Sequence, residues 1–315
     1  MRTFANNQRN QRIGQPVRRK EDLRLITGKG RFSDDVNWPN QAYAYFLRSP
    51  HAHARIVGFD TRAALAIPGV LAVLTGKELL ADGLKPLPHV PDAANPHEPN
   101  LTNPPGFKEM IAPHYPLAVD KARYVGEAVA IVIADSVNLA KDAAEAVQVD
   151  YDVLPSVTAT SAAAQPGAPK LWDSPDSNIS IDGEVGDKAA TEATFARAKH
   201  IAHFETQINR VTGVPMEPRA AVAQYDTETQ RYTLHAGSGG AVRLKQDLAK
   251  ILDVPAQDVR VLMDDIGGNF GTRGMIYPEF GWDRLMPTAT TAVPAEPSRR
   301  CLPCQAKPAR LMGTC

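Results

Sequence analysis

Val261-Leu262-Met263-Asp264-Asp265-Ile266-Gly267-Gly268-Asn269-Phe270-Gly271-Thr272-Arg273-Gly274 decides the reading of this chain. An apolar run of strand length ends in a turn that holds four glycines, one aromatic and one arginine. Glycine reaches φ > 0 and lets the backbone come close to a ligand. Clustered N–H groups in such a turn form an anion-binding concavity. Arginine adds a planar, permanently charged donor fork. A phenylalanine among glycines can cover a flat face. The turn therefore predicts a seat for a large anionic cofactor, with a ligand-free connection as the plain alternative. It is not a Walker A loop, because no Gly-Lys-Ser/Thr follows. Nor is it a dinucleotide fingerprint, since Gly268 would need glycine at position 270 and finds Phe270.

A second glycine turn, Gly237-Ser238-Gly239-Gly240, precedes a helical pattern to Leu252 with Leu244, Leu248, Ile251 and Leu252 as its stripe. Helix N-termini attract anions through free N–H groups and the dipole. Gly239 and Gly240 are thus candidate cofactor contacts, with a simple helix-capping turn as the rival reading. Met216-Glu217-Pro218-Arg219 reads as a charged turn with a Glu–Arg surface pair. Asp264 and Asp265 are adjacent and point to opposite faces of a strand, so solvated or capping roles are expected. No serine nucleophile elbow and no basic–aromatic patch is present.

Strands are expected at 41–48, 54–60, 70–74, 128–134 and 147–151. Short helices are expected at 61–67, 75–80 and 136–146. Thr75 is placed as a helix cap. Residues 84–118 hold nine prolines and read as an irregular excursion. His89, His97 and His114 lie in it at no metal-binding spacing. Beyond an Ala/Ser/Pro-rich linker, a helix is expected near 189–198. Strands are expected near 200–208, 219–226, 231–236 and 259–263, with His200 and His203 on a strand surface. The domain reading is a leader over 1–13, an α/β unit over 14–157, a linker over 158–174, a second unit over 175–280 and an unstructured tail over 281–315. The fold class is α/β with α+β character.

The 315 residues allow two domains. Lys+Arg and Asp+Glu are 35 each, so no global field favours nucleic acid or a membrane surface. No apolar run approaches the roughly 18 residues of a spanning helix. Arg18-Arg19 is followed by Lys20-Glu21-Asp22 where a signal would turn apolar, so a cytoplasmic location is expected. All three cysteines, Cys301, Cys304 and Cys315, lie in the last fifteen residues. Cys301-x-x-Cys304 has no second ligand pair for zinc and reads as incidental. No iron–sulfur motif occurs in residues 1–300, so any such relay sits on another chain.

Several phrases together resemble the molybdenum hydroxylase large subunits: xanthine dehydrogenase, aldehyde oxidase and aerobic carbon monoxide dehydrogenase. They are Leu25-Ile26-Thr27-Gly28-Lys29-Gly30-Arg31-Phe32, Arg48-Ser49-Pro50-His51-Ala52-His53-Ala54 and Tyr124-Val125-Gly126-Glu127-Ala128-Val129-Ala130. Met216-Glu217-Pro218-Arg219 and Asp265-Ile266-Gly267-Gly268-Asn269-Phe270-Gly271 complete them. The resemblance implies a hammerhead domain followed by the start of a molybdopterin-binding domain. It implies a molybdenum–molybdopterin cofactor, in bacteria usually as the cytosine dinucleotide. Gly267, Gly268, Phe270, Gly271, Arg273, Gly239 and Gly240 would touch it, with Phe270 against the metal site. Gly239 stands where the family usually has a glutamine. The resemblance also implies partner iron–sulfur and FAD-binding subunits, and an aldehyde, N-heterocycle or CO as substrate. The family's subunit is more than twice as long. Its general base has no counterpart here, so no catalytic residue and no protein metal ligand is assigned. The text after Glu279 departs from the family, which predicts a shifted or truncated reading frame. An inactive single chain is expected, or alternatively a non-catalytic scaffolding remnant.

Overall fold

The computed structural model describes residues 16–88, 107, 110–174, 176–281 and 309–312. Helix α1 (Asp22–Ile26) is followed by strands β1 (Ala42–Arg48) and β2 (Ala54–Asp60). Helix α2 (Arg62–Leu65), β3 (Val70–Thr75) and helix α3 (Gly76–Ala81) come next. The first half closes with β4 (Lys121–Ala122), β5 (Ala128–Ala134), α4 (Val137–Glu145) and β6 (Gln148–Val153). Helices α5 (Thr160–Ala163) and α6 (Lys188–Arg197) lead to β7 (Ala220–Asp226), β8 (Arg231–Ala236), α7 (Ala241–Leu252) and β9 (Val259–Leu262). A final strand, β10, spans Ala309–Met312.

β5 organises the first half. Its seven apolar residues are all buried, so it reads as a continuous apolar run rather than an alternation. It pairs antiparallel with β1 on one side, Phe46 opposite Ile131, and with β3 on the other, Leu74 opposite Ile131. The Ser136 hydroxyl accepts from Leu139 N at 3.2 Å and starts α4, which lays Ala140, Ala143 and Ala144 inward. Thr75 ends β3 and opens α3 with a capping box, its N–H donating to Glu78 Oε2 at 2.9 Å. A small antiparallel sheet, β4-β2-β6, completes this half.

The second half is a β7–β8 hairpin extended by β9, which runs parallel to β8 and packs against α7. Leu244, Leu248, Ile251 and Leu252 are buried at or below 2% exposure, as their stripe predicts. Among the described residues two pairings in the large sheet, β1 with β10 and β8 with β9, are parallel and the others antiparallel. The fold is therefore α/β in layering with a predominantly antiparallel sheet.

The large sheet runs β3-β5-β1-β10-β7-β8-β9 and spans both halves. β10 lies between them, parallel to β1 and antiparallel to β7. This corrects the expectation of a tail without structure for residues 309–312. Two facing strand edges need only extended backbone to satisfy their N–H and C=O groups, and no amphipathic period is required. The rest of the tail, Cys301 and Cys304 included, lies outside the described residues, as do the leader 1–13, His89 and His97.

One further expectation changes. Residues 200–208 form no strand. Every residue from 181 to 212 is exposed, and among the described residues no strand edge meets this segment. His200 and His203 accordingly sit on exposed coil. The end of the linker is tied to residues 121–123. Trp172 stacks under the Arg123 guanidinium at 3.8 Å, and Asp173 takes a 2.6 Å bond from Lys121 Nζ. Among the described residues no helix is long and apolar enough to cross a membrane.

Candidate functional site: two glycine turns clamped by a buried ion pair

The two glycine turns meet. Gly239 N donates to the Arg273 carbonyl at 2.7 Å, and Ser238 Oγ donates to the same oxygen at 3.2 Å. Pro215, from the stretch leading into Met216-Glu217-Pro218-Arg219, closes the third side. A Cβ added at Gly268 would lie 3.2 Å from Pro215 Cβ, and one at Gly267 would lie 2.4 Å from Glu217 Cβ. Gly267 is thus glycine because Glu217 occupies the space a side chain would need.

Glu217 and Arg273 hold this arrangement. Their side chains are 8% and 3% exposed. Glu217 Oε2 accepts from Arg273 Nη1 at 2.6 Å and from Gly267 N at 2.7 Å, while Arg273 Nη2 donates to the Glu217 carbonyl. Two expectations are corrected here. Glu217 does not pair with Arg219 on the surface, because Arg273 reaches it first from the facing turn. Arg273 does not present its fork to a ligand, because two of its three nitrogens are engaged by Glu217. A Cβ at Gly237 would also lie 2.7 Å from Arg273 Nη1, so that glycine makes room for the guanidinium.

What faces outward is different. Phe270 is 77% exposed and sits at φ +49°, the left-handed region. A bulky residue held there costs on the order of 1–3 kcal/mol, and such strain gathers at ligand sites. Asn269 supports the loop: its Oδ1 accepts from Arg273 N at 3.0 Å, and its carbonyl accepts from Thr272 N at 2.9 Å. The N–H groups of Gly268, Asn269, Phe270 and Gly271 have no partner among the described residues. Neither does the N–H of Gly240, the N-cap of α7. A Cβ at Gly240 or Gly271 would meet nothing within 4 Å. Free amides, a helix N-terminus, open glycine faces and one exposed aromatic therefore lie on two turns that touch each other. That donor set fits a flat, anionic ligand such as a pterin with a diphosphate.

The carboxylates around this surface are all engaged. Asp265 takes both Nη atoms of Arg24, Nη2 at 2.6 Å, and Arg31 N at 2.8 Å. The Arg24 bond, then the Arg31 amide, hold its carboxyl below the usual range. Asp264 pairs with Arg31 at 3.6 Å. The aspartates expected to be solvated or capping thus bind the arginine-rich lead-in, whose partner just past the end of β9, more than 200 residues away, no local pattern could reveal. Glu279 is fixed by Arg48. Among the described residues no group of three or more His, Cys, Asp or Glu is placed to hold a metal ion.

The sequence matches two family models. Residues 27–155 match the aldehyde oxidase and xanthine dehydrogenase a/b hammerhead domain, and residues 172–281 match the molybdopterin cofactor-binding domain. The chain is 36% identical over 277 residues to the 6-hydroxypseudooxynicotine dehydrogenase complex subunit gamma of Paenarthrobacter nicotinovorans, covering 85% of this chain and 32% of that one. It is 34% identical over 280 residues to the carbon monoxide dehydrogenase large chain of Afipia carboxidovorans, again at 85% and 32% coverage. Among solved structures, quinoline 2-oxidoreductase from Pseudomonas putida 86 superposes with a TM-score of 0.76 at 31% identity, covering 96% of this chain and 34% of that one. The chain spans about a third of the length of these relatives. With a hammerhead domain followed by the start of a molybdopterin-binding domain, it belongs to the aldehyde oxidase and xanthine dehydrogenase family of molybdenum-dependent oxidoreductase large subunits.

Proposed function

We propose that this chain supplies one wall of a molybdenum–molybdopterin site, in the cytosine dinucleotide form, within a hydroxylase of the carbon monoxide dehydrogenase or aldehyde oxidase type. The observation that carries this is the pair of touching turns with exposed Phe270, the free amides of 268–271 and the open faces of Gly240 and Gly271. When bound, the cofactor supplies a two-electron oxidation that inserts water-derived oxygen into an aldehyde, an N-heterocycle or CO. This chain's residues bind and orient. The 268–271 amides and the α7 N-terminus take anionic oxygens, and Phe270 excludes water from one face. Partner iron–sulfur and FAD-binding subunits in the cytoplasm would carry the electrons away.

The same geometry supports a chain that is inactive alone. A general base must reach the proton it removes, about 2.6–3.2 Å away in the productive complex. Glu217, Asp264, Asp265 and Glu279 are each held by arginine. A non-catalytic remnant without cofactor is the second reading, and these engaged carboxylates favour it.

Purification from a host that makes the cofactor separates the two. Stoichiometric molybdenum and an acid-released fluorescent pterin, both reduced by Phe270→Ala and by Gly271→Val in folded protein, support the cofactor wall. Metal-free wild-type protein supports the remnant. Molybdenum-dependent oxidation of any of these substrates by the purified 315-residue chain would overturn the inactivity.

A further inference from the structure

Arg48 and Arg219, each from one of the sequence phrases, meet at one buried carboxylate, Glu279. The Glu279 side chain is 5% exposed. Its Oε1 accepts from Arg48 Nη2 at 2.6 Å and lies 3.8 Å from Arg219 Nη2. Arg48 comes from β1 of the hammerhead and also donates from Nη1 to the Gly126 carbonyl at 2.9 Å. Arg219 stacks on the Tyr277 ring at 3.9 Å. The Tyr277 hydroxyl in turn donates to the Thr272 carbonyl inside the glycine turn. An unbroken set of contacts thus runs from the hammerhead, through Glu279, Arg219 and Tyr277, to the loop that holds Phe270.

We propose that Glu279 is a positioning residue that makes the shape of the glycine turn conditional on docking of the hammerhead domain. A buried carboxylate needs its cations, because an unpaired charge in this setting is strongly unfavourable. Arg48 belongs to one domain, and Arg219 and Tyr277 to the other. Withdrawing the hammerhead removes the cation at hydrogen-bond distance and leaves Glu279 to Arg219 alone. Arg219 then moves from 3.8 Å toward the carboxylate and off the Tyr277 ring. Tyr277 loses the stack that aims its hydroxyl at Thr272. The turn loses its anchor on that side, while Glu217 still holds Gly267 on the other. Bulky Phe270 at φ +49° is the strained point that relaxes first. The importance of this coupling for cofactor binding rests on the function proposed above. Its structural content does not.

Amide hydrogen exchange on the full chain tests it without any cofactor. The amides of Thr272, Arg273 and Gly274 are hydrogen-bonded inside the turn and report its closure. Arg48→Ala and Tyr277→Phe should each raise their exchange by about tenfold or more, the scale of a local opening. The β8 and α7 amides should keep their rates. Arg48→Lys, which retains a cation at Glu279, should restore protection relative to Arg48→Ala. Two results overturn the proposal. One is an unchanged turn in a folded Arg48→Ala chain. The other is exchange raised equally over turn, β8 and α7, which would make Arg48 a general stabiliser. If Arg48→Ala does not fold, Tyr277→Phe decides, since it breaks only the link to Thr272, and an unchanged turn there is equally fatal.

Discussion

At the scale of single residues, the buried pair of Glu217 and Arg273 holds the glycine turn together. Arg273 among glycines is easily seen, but its fork turns inward to Glu217, 56 positions away. Local spacing carries no trace of such a partner. The pair is buried on both sides, so its loss is asymmetric. Removing one member leaves an uncompensated charge and costs about 3–5 kcal/mol, while replacing both by apolar residues of similar volume costs far less. Arg273→Met should therefore lower unfolding stability in urea by several times more than the double change Glu217→Leu with Arg273→Met. Equal losses would show that the charge itself is not the issue. Tyr124 allows a test by pH. Tyr124 keeps 46% of its surface exposed, and partial burial of the hydroxyl, then the nearby Glu127 and Glu279 carboxylates, push its ionisation up to about 12. The unfolded value is about 10. The folded state keeps the proton longer, so Tyr124 stabilises below pH 10 and that contribution is lost as pH rises from about 10 to about 12. Tyr124→Phe should flatten the alkaline limb of the stability profile, and a phenolate titrating at the ordinary tyrosine value would refute the burial argument.

At the scale of elements, most of the fold was legible because local and tertiary signals agree. β5 is apolar throughout and buried throughout. The Thr75 cap and the α7 stripe both lie where the pattern puts them. Residues 200–208 have strand-like residues, yet form no strand, since a strand exists only by pairing and none of the described edges is near. β10 fails in the opposite sense. Its sequence has no strand period, yet two facing edges, β1 and β7, make one of it. Pairing is a property of neighbours, so neither outcome was readable from the segment alone. The α3 start offers a clean comparison of two local effects. Thr75→Ala removes the capping hydroxyl and should cost about 1 kcal/mol. Gly76→Ala improves intrinsic helix propensity, but its methyl would fall 2.5 Å from the Ala118 carbonyl oxygen. Backbone contact that close cannot be relieved by a rotamer change. Gly76→Ala should therefore destabilise more than Thr75→Ala in thermal melts, and a stabilised Gly76→Ala chain would mean that the 112–118 segment yields freely.

At the scale of the whole molecule, apolar surface is distributed unevenly. The hammerhead buries Ala54, Ala122, Val129, Ile131 and Val132 almost completely. By contrast Phe204, Ile208, Val211 and Met216 are 86–95% exposed along one extended segment. It runs directly into Pro215, which borders the glycine turn, and Phe270 adds its own exposed ring. Exposed apolar groups in such a contiguous run mark a surface that associates. Helix α6 just before it buries no residue, and Arg210 ties the segment back through its bond to the Thr158 carbonyl at 3.1 Å. Two outcomes follow from one cause. Exposed coil with little packing opens at almost no free-energy cost, so limited proteolysis should cut first within 199–209, before any site in 42–81 or 117–153. The free chain should also self-associate with rising concentration. Replacing Phe204 and Ile208 together by aspartate should shift sedimentation toward monomer while leaving the melting temperature unchanged, because neither side chain contributes to a core. A melting temperature that falls with this double change would show that the segment packs in solution, and the exposed-surface argument would then fail along with the predicted cleavage order.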